Sequence, residues 1–211
     1  MYSYQNGVYV PSELLAIPVL SDMLGMFRNY RVFTVCKTVN GHIVHLDDHI
    51  ERLFNSAGDI HLKVSETRAT LKSKLLDLVT YNVDKGIKED LCLHVLLTGG
   101  NPEPGSLYQK SGAQLYIAVI SLKSRQNPSV GATLATYSYQ REYPEVKLIN
   151  YVAAVKAFHT VCEEYDAQDV LYVDSDLENR VLEGSTFSIF MVKGEQIFTP
   201  PLDGKILSSR S

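Results

Sequence analysis

The sequence predicts a mixed α/β (α+β) protein of two lobes, and three observations support this fold class. Segments rich in β-branched and aromatic residues occur in both halves, as strands require. Segments with helical periodicity accompany them in each half. The stretch 123–130 is largely polar and contains Pro128, which is typical of a linker. We therefore expect an N-terminal α/β domain over 1–122, a linker over 123–130 and a C-terminal domain over 131–211.

The first elements are predicted to be strands. Segments 7–10 and 32–39 are dominated by valine, threonine and aromatic residues. Asn40-Gly41 follows directly, and this dipeptide favours a two-residue hairpin turn. Residues 42–45 are expected to form the returning strand.

Two helices come next. Asp47 or Asp48 is expected to cap the first one, because a side-chain carboxylate can accept from the free N–H groups of a first turn. Its apolar residues recur at i, i+3, i+4 and i+7 and form one stripe: Ile50, Leu53, Phe54 and Ala57. The second helix is expected over 65–82. Strands are predicted at 91–97 and 114–122, on either side of a loop rich in glycine and proline.

The second half begins with a predicted strand at 132–138. A helix is expected over 151–165, and further strands over 170–173 and 188–192. Thr199-Pro200-Pro201 ends this last strand region, since proline lacks the N–H that a sheet needs.

Composition narrows the class of protein. A net charge of −4 gives no basic stripe for nucleic acid. The three cysteines are far apart and lack a C-x-x-C spacing, so we expect free thiols, a reducing compartment and no metal site. The N-terminus shows no signal peptide, and no run reaches the roughly 18 apolar residues of a spanning helix. A cytoplasmic protein without membrane or nucleic-acid partners is expected.

Single residues are weak indicators here. Lys147 alone resembles a solvated lysine before a helix, and Glu183 a surface carboxylate. Arg52 could be a helix arginine whose stem covers apolar surface. His49 is expected to cap or pack rather than to act as a base. Their sequence contexts carry more information than the residues themselves.

Several motifs occur in a fixed order: Asn6-Gly7 and Ile17-Pro18-Val19, then Val32-Phe33-Thr34, His49-x-x-Arg52-Leu53, Lys147-x-x-Asn150-Tyr151 and Glu183-Gly184-Ser185. The order and spacing resemble the class IV aminotransferase family of pyridoxal-phosphate (PLP) enzymes, which have fold type IV. This family includes branched-chain aminotransferases, D-amino-acid aminotransferases and aminodeoxychorismate lyases. The resemblance covers nearly the whole chain.

The resemblance implies roles for four residues around the cofactor pyridoxal 5′-phosphate. Lys147 would form the Schiff base and shuttle the proton, which needs an amine that is neutral part of the time. Glu183 would face the pyridine nitrogen and keep it protonated. Arg52 would bind the phosphate through planar, charge-assisted hydrogen bonds. Tyr151 would direct its hydroxyl to the phenolic oxygen of the cofactor.

The remaining implied contacts are less specific. Leu207 would pack on the ring face. Hydroxyl and N–H donors would come from Ser185, Thr186, Arg210 and Ser211. The substrate would lie against Phe33, Thr98 and Gly99.

Three departures from the family pattern affect the interpretation. Asn29-Tyr30-Arg31 replaces the usual glycine-rich turn, so larger side chains could reshape the substrate pocket. The turn after Leu97 lacks the arginine with which D-amino-acid aminotransferases hold a substrate carboxylate. Family members also continue for several tens of residues beyond the position of Ser211. We therefore expect a fold-type-IV domain lacking its C-terminal portion.

The leading hypothesis is an aminotransferase that moves an amino group between an amino acid and a 2-oxo acid. An aminodeoxychorismate-type lyase uses the same scaffold and lysine, and it is the first alternative. The second is a degenerate, non-catalytic homologue. The resemblance also implies a homodimer.

Overall fold

The structure is a computed structural model that describes residues 1–122, 131–174, 176 and 180–209. The described residues form two compact units. The first unit contains residues 1–122 and Val146–Ile149, and the second contains 131–145 and the described part of Asn150–Ser209. The predicted linker 123–130 lies outside the described residues, as do Arg210 and Ser211.

The secondary structure follows the mixed pattern that the sequence predicts. The strands are β1 (Tyr2–Gln5), β2 (Val8–Pro11), β3 (Arg31–Val39), β4 (His42–Ile43), β5 (Leu91–Thr98), β6 (Gln114–Ser121), β7 (Leu134–Ser138), β8 (Asp169–Asp174), β9 (Arg180–Gly184), β10 (Met191–Lys193) and β11 (Gln196–Phe198). The α-helices are α1 (Met23–Arg28), α2 (Leu46–Asp59), α3 (Arg68–Asp84), α4 (Val152–Ala157) and α5 (Glu163–Tyr165). A π-helical turn, Phe158–Cys162, joins α4 to α5, and 3-10 turns occur at Ser12–Leu14 and Val19–Ser21.

An antiparallel sheet of order β2-β1-β6-β5-β3-β4 forms the first unit. Along β3 every second residue from Val32 to Thr38 is buried, because successive side chains of a strand point to opposite faces. The predicted stripe of α2 packs in the same core, where Ile50, Leu53 and Ala57 are almost completely buried. Helix α2 therefore lies against β3, and these two elements carry several of the predicted site residues.

The hairpin between β3 and β4 is confirmed, but the beginning of α2 is not the predicted one. Asn40 and Gly41 both have positive φ, 51° and 77°, as a type I′ turn requires. Strand β4 ends at Ile43, two residues earlier than predicted. The N-cap of α2 is His45 in the left-handed region, and its side chain makes no capping hydrogen bond. The prediction that Asp47 or Asp48 caps the helix is therefore wrong; both lie inside the first turn, where their charge favours the helix dipole.

Helix α3 begins three residues later than predicted, for a local reason. The Thr67 hydroxyl accepts from the Thr70 N–H at 3.1 Å, and the Thr70 hydroxyl accepts from the Thr67 N–H at 2.9 Å. This reciprocal capping box satisfies two N–H groups that a helix start leaves free.

Two elements of the first unit are not predicted from the sequence. Strand β1 joins the sheet beside β6, and buried Ser3 accepts the Val119 N–H at 2.9 Å. Helix α1 is short, and its C-cap is Asn29, which has a φ of 56°. Its apolar residues are mostly exposed, so it lacks the buried stripe by which a helix is recognised.

The second unit contains a small sheet in which β8 pairs parallel with β7 and antiparallel with β9. The predicted helix over 151–165 is confirmed as α4, the π-helical turn and α5 in succession. Its residues Ala157, Val161 and Cys162 are buried in a core with Val170 and other strand residues.

The strand boundaries of this unit differ from the predicted ones. The prediction placed the segment that contains Glu183 between strands, whereas Glu183 lies within β9. The predicted strand 188–192 is realised as β10, which begins at Met191 and pairs with β11. Strand β10 is exposed, so the sequence there lacks the alternation that sets the bounds of a half-buried strand.

Among the helices of the described residues, none combines the length and apolar composition that crossing a membrane requires.

Candidate active site

The main chain of Lys147 is bonded to two elements of the first unit. The Lys147 N–H donates to Ser56 Oγ on α2 at 3.0 Å. Its carbonyl accepts the Phe33 N–H of β3, also at 3.0 Å. The next residue, Leu148, forms an isolated β-bridge with Val32. The lysine is thus held at the edge of β3, although more than a hundred residues separate it from this strand.

The Lys147 side chain lies over an aromatic ring of the same strand. Its Nζ is 5.0 Å from the centroid of the Phe33 ring. Phe33 is half-buried and has the opposite orientation on β3 to Thr34. The structure therefore brings the predicted amine and one predicted substrate residue together.

Arg52 lies in a buried polar cluster with Thr34 and His49. Arg52 Nη2 donates to Thr34 Oγ1 at 2.9 Å, and Thr34 Oγ1 lies 2.9 Å from His49 Nδ1. The Arg52 side chain has no acceptor atom, so the Thr34 hydroxyl accepts the hydrogen bond between them. The same hydroxyl can then donate a hydrogen bond to His49. In that arrangement His49 Nδ1 accepts and the ring proton is on Nε2. His49 is buried and contacts both Thr34 and Arg52.

The cluster borders a thiol. Burial raises the pKa of Cys36 to about 12, and the Arg52 charge opposes this only in part. The thiol is therefore a neutral, apolar neighbour of the guanidinium rather than a reactive group.

In the second unit, the Glu183 carboxylate is bound on both oxygens. Arg141 donates to Oε1 from Nε at 2.9 Å and from Nη2 at 2.6 Å. The Leu207 N–H donates to Oε2 at a longer 3.3 Å. Arg141 also donates to the Pro144 carbonyl at 2.6 Å, which fixes the guanidinium. Sequence reasoning does not find Arg141, because no motif surrounds it.

Two of the predicted cofactor contacts line one cavity of the second unit. Glu183 and Leu207 contribute to a cavity of about 170 Å³. Its remaining walls come mainly from apolar side chains, among them Leu182, Ile189 and Ile206. Arg141 occupies Oε1, whereas Oε2 has only the longer contact with the Leu207 N–H, so Oε2 keeps acceptor capacity for a protonated heteroaromatic nitrogen whose ring packs on the apolar wall.

Ser185 and Thr186 follow Glu183 after one glycine, but their settings differ. The Ser185 hydroxyl donates to Oδ1 of Asp169, the first residue of β8, at 2.7 Å. Thr186 is exposed. A Cβ at Gly184 would lie 2.3 Å from the Phe187 ring, so a larger residue there would require this ring to move.

Tyr151 is half-buried and precedes α4 as its N-cap. Its carbonyl accepts the Val155 N–H at 3.0 Å, which begins the helix. Arg210 and Ser211, the predicted phosphate donors at the chain end, lie outside the described residues.

The predicted substrate turn is held by a buried network of hydrogen bonds. Thr98 is fully buried, and its hydroxyl donates to Asp22 at 2.6 Å and accepts from Arg31 Nε at 3.0 Å. Arg31 Nη2 also pairs with Asp22 at 2.5 Å. The Gly100 N–H donates to the same carboxylate at 2.9 Å. Asp22 thus holds the ends of β3 and β5 together.

The bulky residues before Val32 are similarly engaged. The Tyr30 hydroxyl donates to the Ile60 carbonyl at 2.9 Å, while Arg31 is paired with Asp22. Gly99 lies under the Tyr30 ring, where a Cβ would be only 2.5 Å from Cδ1. These side chains are used for packing the first unit.

Each unit, taken by itself, carries groups whose chemistry suits one part of pyridoxal phosphate. The first unit offers an amine and a buried guanidinium, which match an aldehyde and a phosphate. The second unit offers a carboxylate in an apolar wall, which matches a pyridine nitrogen.

Comparison with known proteins agrees with this chemistry. The model of the class IV amino-transferase family matches residues 31–209. A probable branched-chain-amino-acid aminotransferase of Rickettsia bellii is 24% identical over 205 residues, which are 96% of this chain and 68% of the relative. A D-alanine aminotransferase of Bacillus licheniformis is 25% identical over 198 residues, 84% of this chain and 61% of the relative.

The fold agrees with solved structures of the same group. A branched-chain aminotransferase of Thermoproteus uzoniensis, crystallised with norvaline, superposes with a TM-score of 0.83 at 25% identity. The match covers 98% of this chain and 70% of that one. The chain thus has the fold of these aminotransferases over about 70% of their length. It belongs to the class IV aminotransferase family, whose aminotransferases are pyridoxal-phosphate-dependent transferases.

Proposed function

We propose that this chain transfers an amino group between an amino acid and a 2-oxo acid, with Lys147 as the amine that binds pyridoxal phosphate. The observation that carries the proposal is the double main-chain attachment of Lys147 to α2 and β3. Helix α2 also carries Arg52, so one helix supports both the amine and a guanidinium for the phosphate. A lysine with a merely solvated role needs neither attachment.

The roles of the other residues follow from their chemistry. Arg52 binds the phosphate, and Thr34 orients the guanidinium. Glu183 holds a proton at the pyridine nitrogen, and Leu207 packs on the ring. When bound, the cofactor supplies an electron-accepting ring next to the substrate Cα. Lys147 Nζ would take the Cα proton and deliver it to the former aldehyde carbon of the cofactor, so that the amino group stays on the cofactor while the substrate leaves as a 2-oxo acid.

An apolar or acidic L-amino acid is the proposed donor, rather than D-alanine. The arginine nearest the Thr98-Gly99 turn is Arg31, and it already pairs with buried Asp22. A guanidinium neutralised in this way is a poor receptor for a substrate carboxylate. The named relatives include both branched-chain and D-alanine aminotransferases, so the donor class has to be measured.

The test is half-reaction spectroscopy of the purified protein loaded with pyridoxal phosphate. Some L-amino acid should convert the visible band of the cofactor to that of its amine form, and a 2-oxo acid should reverse the change. Borohydride reduction and peptide mapping should place the pyridoxyl group on Lys147. Pyruvate release from aminodeoxychorismate, without the amine form, would support the lyase instead. Loading without any reaction would support the non-catalytic homologue, and labelling of another lysine would refute the site.

We also propose that two copies form a homodimer through the segment 19–27. Five large apolar side chains are 42–78% exposed along this segment: Val19, Leu20, Met23, Met26 and Phe27. Such a patch is costly in water unless another surface covers it. Sedimentation should show a dimer that Met26→Glu weakens, whereas Leu76→Glu, on an exposed face of α3, should not. A stable, active monomer would rule the dimer out.

A further inference from the structure

Ser56 occupies a particular place on α2. It is 1% exposed, and its hydroxyl accepts the Lys147 N–H at 3.0 Å. Residues 49, 52 and 56 follow each other at helical spacing, so His49, Arg52 and Ser56 share one face of α2. The rise from Arg52 to Ser56 is about 6 Å, one turn of helix.

This arrangement relates two groups that are distant in sequence. The Arg52 guanidinium is held by its hydrogen bond to the Thr34 hydroxyl on β3. The Lys147 carbonyl is fixed to the neighbouring residue of the same strand, Phe33. Without Ser56, however, the lysine would have no described main-chain bond to α2. The Ser56 hydroxyl therefore sets the separation between the lysine backbone and the helix that carries Arg52.

We propose that Ser56 is a positioning residue that sets the reach of the Lys147 amine relative to a phosphate held by Arg52. The proposal rests on the role of Lys147 proposed above. The lysine side chain is a flexible stem of four carbons. The position of its amine is therefore better defined when the backbone that carries it is fixed. Capture of an aldehyde joins Nζ to the carbonyl carbon and releases water, and a misplacement of about 1 Å can slow such a step by about 100-fold.

The chain offers a matched control. Ser3 is also a fully buried serine of the first unit, and it accepts the Val119 N–H at 2.9 Å. Ser3→Ala and Ser56→Ala each remove one buried serine hydroxyl that accepts a main-chain N–H. The Ser3 hydroxyl also shares a hydrogen bond of 2.9 Å with the Ser12 hydroxyl, so Ser3→Ala should lower the urea midpoint at least as much as Ser56→Ala. Only Ser56→Ala should affect the lysine.

The experiment measures two properties of each variant. The first is the rate at which pyridoxal phosphate becomes attached to Lys147, followed by borohydride trapping across a pH series. The second is the dissociation constant of pyridoxamine phosphate, which keeps the phosphate but has no aldehyde. Ser56→Ala should slow attachment about tenfold at every pH and leave the dissociation constant within twofold. Ser3→Ala should change neither.

Amide hydrogen exchange in the cofactor-free protein tests the contact itself. The Lys147 N–H should exchange at least about tenfold faster in Ser56→Ala and at the original rate in Ser3→Ala. Unchanged attachment in Ser56→Ala would overturn the positioning role, as would a parallel loss of pyridoxamine phosphate affinity. Absence of attachment at Lys147 in the unaltered protein would instead refute the proposed function, and the positioning role with it.

Discussion

Arg52 Nη2 lies 2.9 Å from Thr34 Oγ1, so a side chain of β3 holds the guanidinium of α2 in place. Thr34 is 1% exposed and Arg52 is 9% exposed, which makes this a buried, charge-assisted hydrogen bond. The threonine hydroxyl is thereby a determinant of where the guanidinium points.

Thr34→Val should test this relationship, because valine has nearly the same shape but no acceptor. The substitution removes the shorter contact of Arg52 Nη2, leaving its longer one of 3.3 Å with His49 Nδ1, and it also removes the hydroxyl that His49 contacts. Loss of buried hydrogen bonds of this kind costs about 1–3 kcal/mol, so urea unfolding should show a loss of this size. We expect weaker pyridoxal-phosphate binding as well, measured by titration of the visible band. Thr34→Ser keeps the hydroxyl and should retain most of both. Equal behaviour of the valine and serine variants would contradict the role of the hydroxyl.

Substitution of Arg52 and substitution of Glu183 should have different effects, because the two residues are proposed to bind different parts of the cofactor. Arg52→Ala should mainly weaken cofactor affinity, by about 10- to 150-fold for a contact worth about 1.5–3 kcal/mol. Glu183→Gln should bind almost normally but slow the chemical step by about tenfold or more. Equilibrium titration and single-turnover kinetics measure the two effects. Lys72→Ala, at an exposed ion pair with Asp47, serves as the control and should change neither. The assignment fails if both site variants keep affinity and rate.

Substitution of Asp22 should lower the free energy of unfolding more than substitution of most other residues of the first unit. Its buried carboxylate accepts from Arg31, Thr98 and the Gly100 N–H. Asp22→Asn removes the charge that neutralises the Arg31 guanidinium, which should cost about 3–5 kcal/mol in urea unfolding. The exposed pair of Lys72 with Asp47 provides the comparison, since Asp47→Asn should cost less than about 1 kcal/mol. Similar losses in the two variants would show that Asp22 is not structurally central.

Cys36 should contribute a loss of stability at alkaline pH. Burial, opposed in part by the Arg52 charge, raises the pKa of its thiol from 9.0 to about 12. The thiol ionises more readily in the unfolded chain, so its stabilising contribution is complete below pH 9 and decreases as the pH rises towards 12.

Between pH 9 and pH 12, ionisation of Cys36 should lower the free energy of unfolding by on the order of 1 kcal/mol per pH unit. Urea unfolding of the unaltered protein and of Cys36→Ala at several pH values isolates the effect, since lysines and tyrosines titrate in both. Parallel pH profiles would contradict the burial of a neutral thiol. Iodoacetamide should also label Cys36 slowly in the native state at pH 8.

The sequence by itself determined the family resemblance, the mixed fold class and most of the regular elements. Strand β3, the turn at Asn40-Gly41 and the stripe of α2 are local patterns, because a hairpin turn or a periodic apolar face is specified by neighbouring residues. Strand β1, helix α1 and the limits of β9 were missed. Their bounds depend on partners far along the chain rather than on their own composition.

The tertiary structure decided which residues contact the predicted site residues. Ser56 and the Lys147 N–H are 91 residues apart, Arg141 and Glu183 are 42 apart, and Asp22 and Thr98 are 76 apart. No local periodicity connects such pairs, and their residue types are common on any surface. They meet because packing of the core closes the long loops between them and buries their polar groups, and a buried polar group has to be hydrogen-bonded.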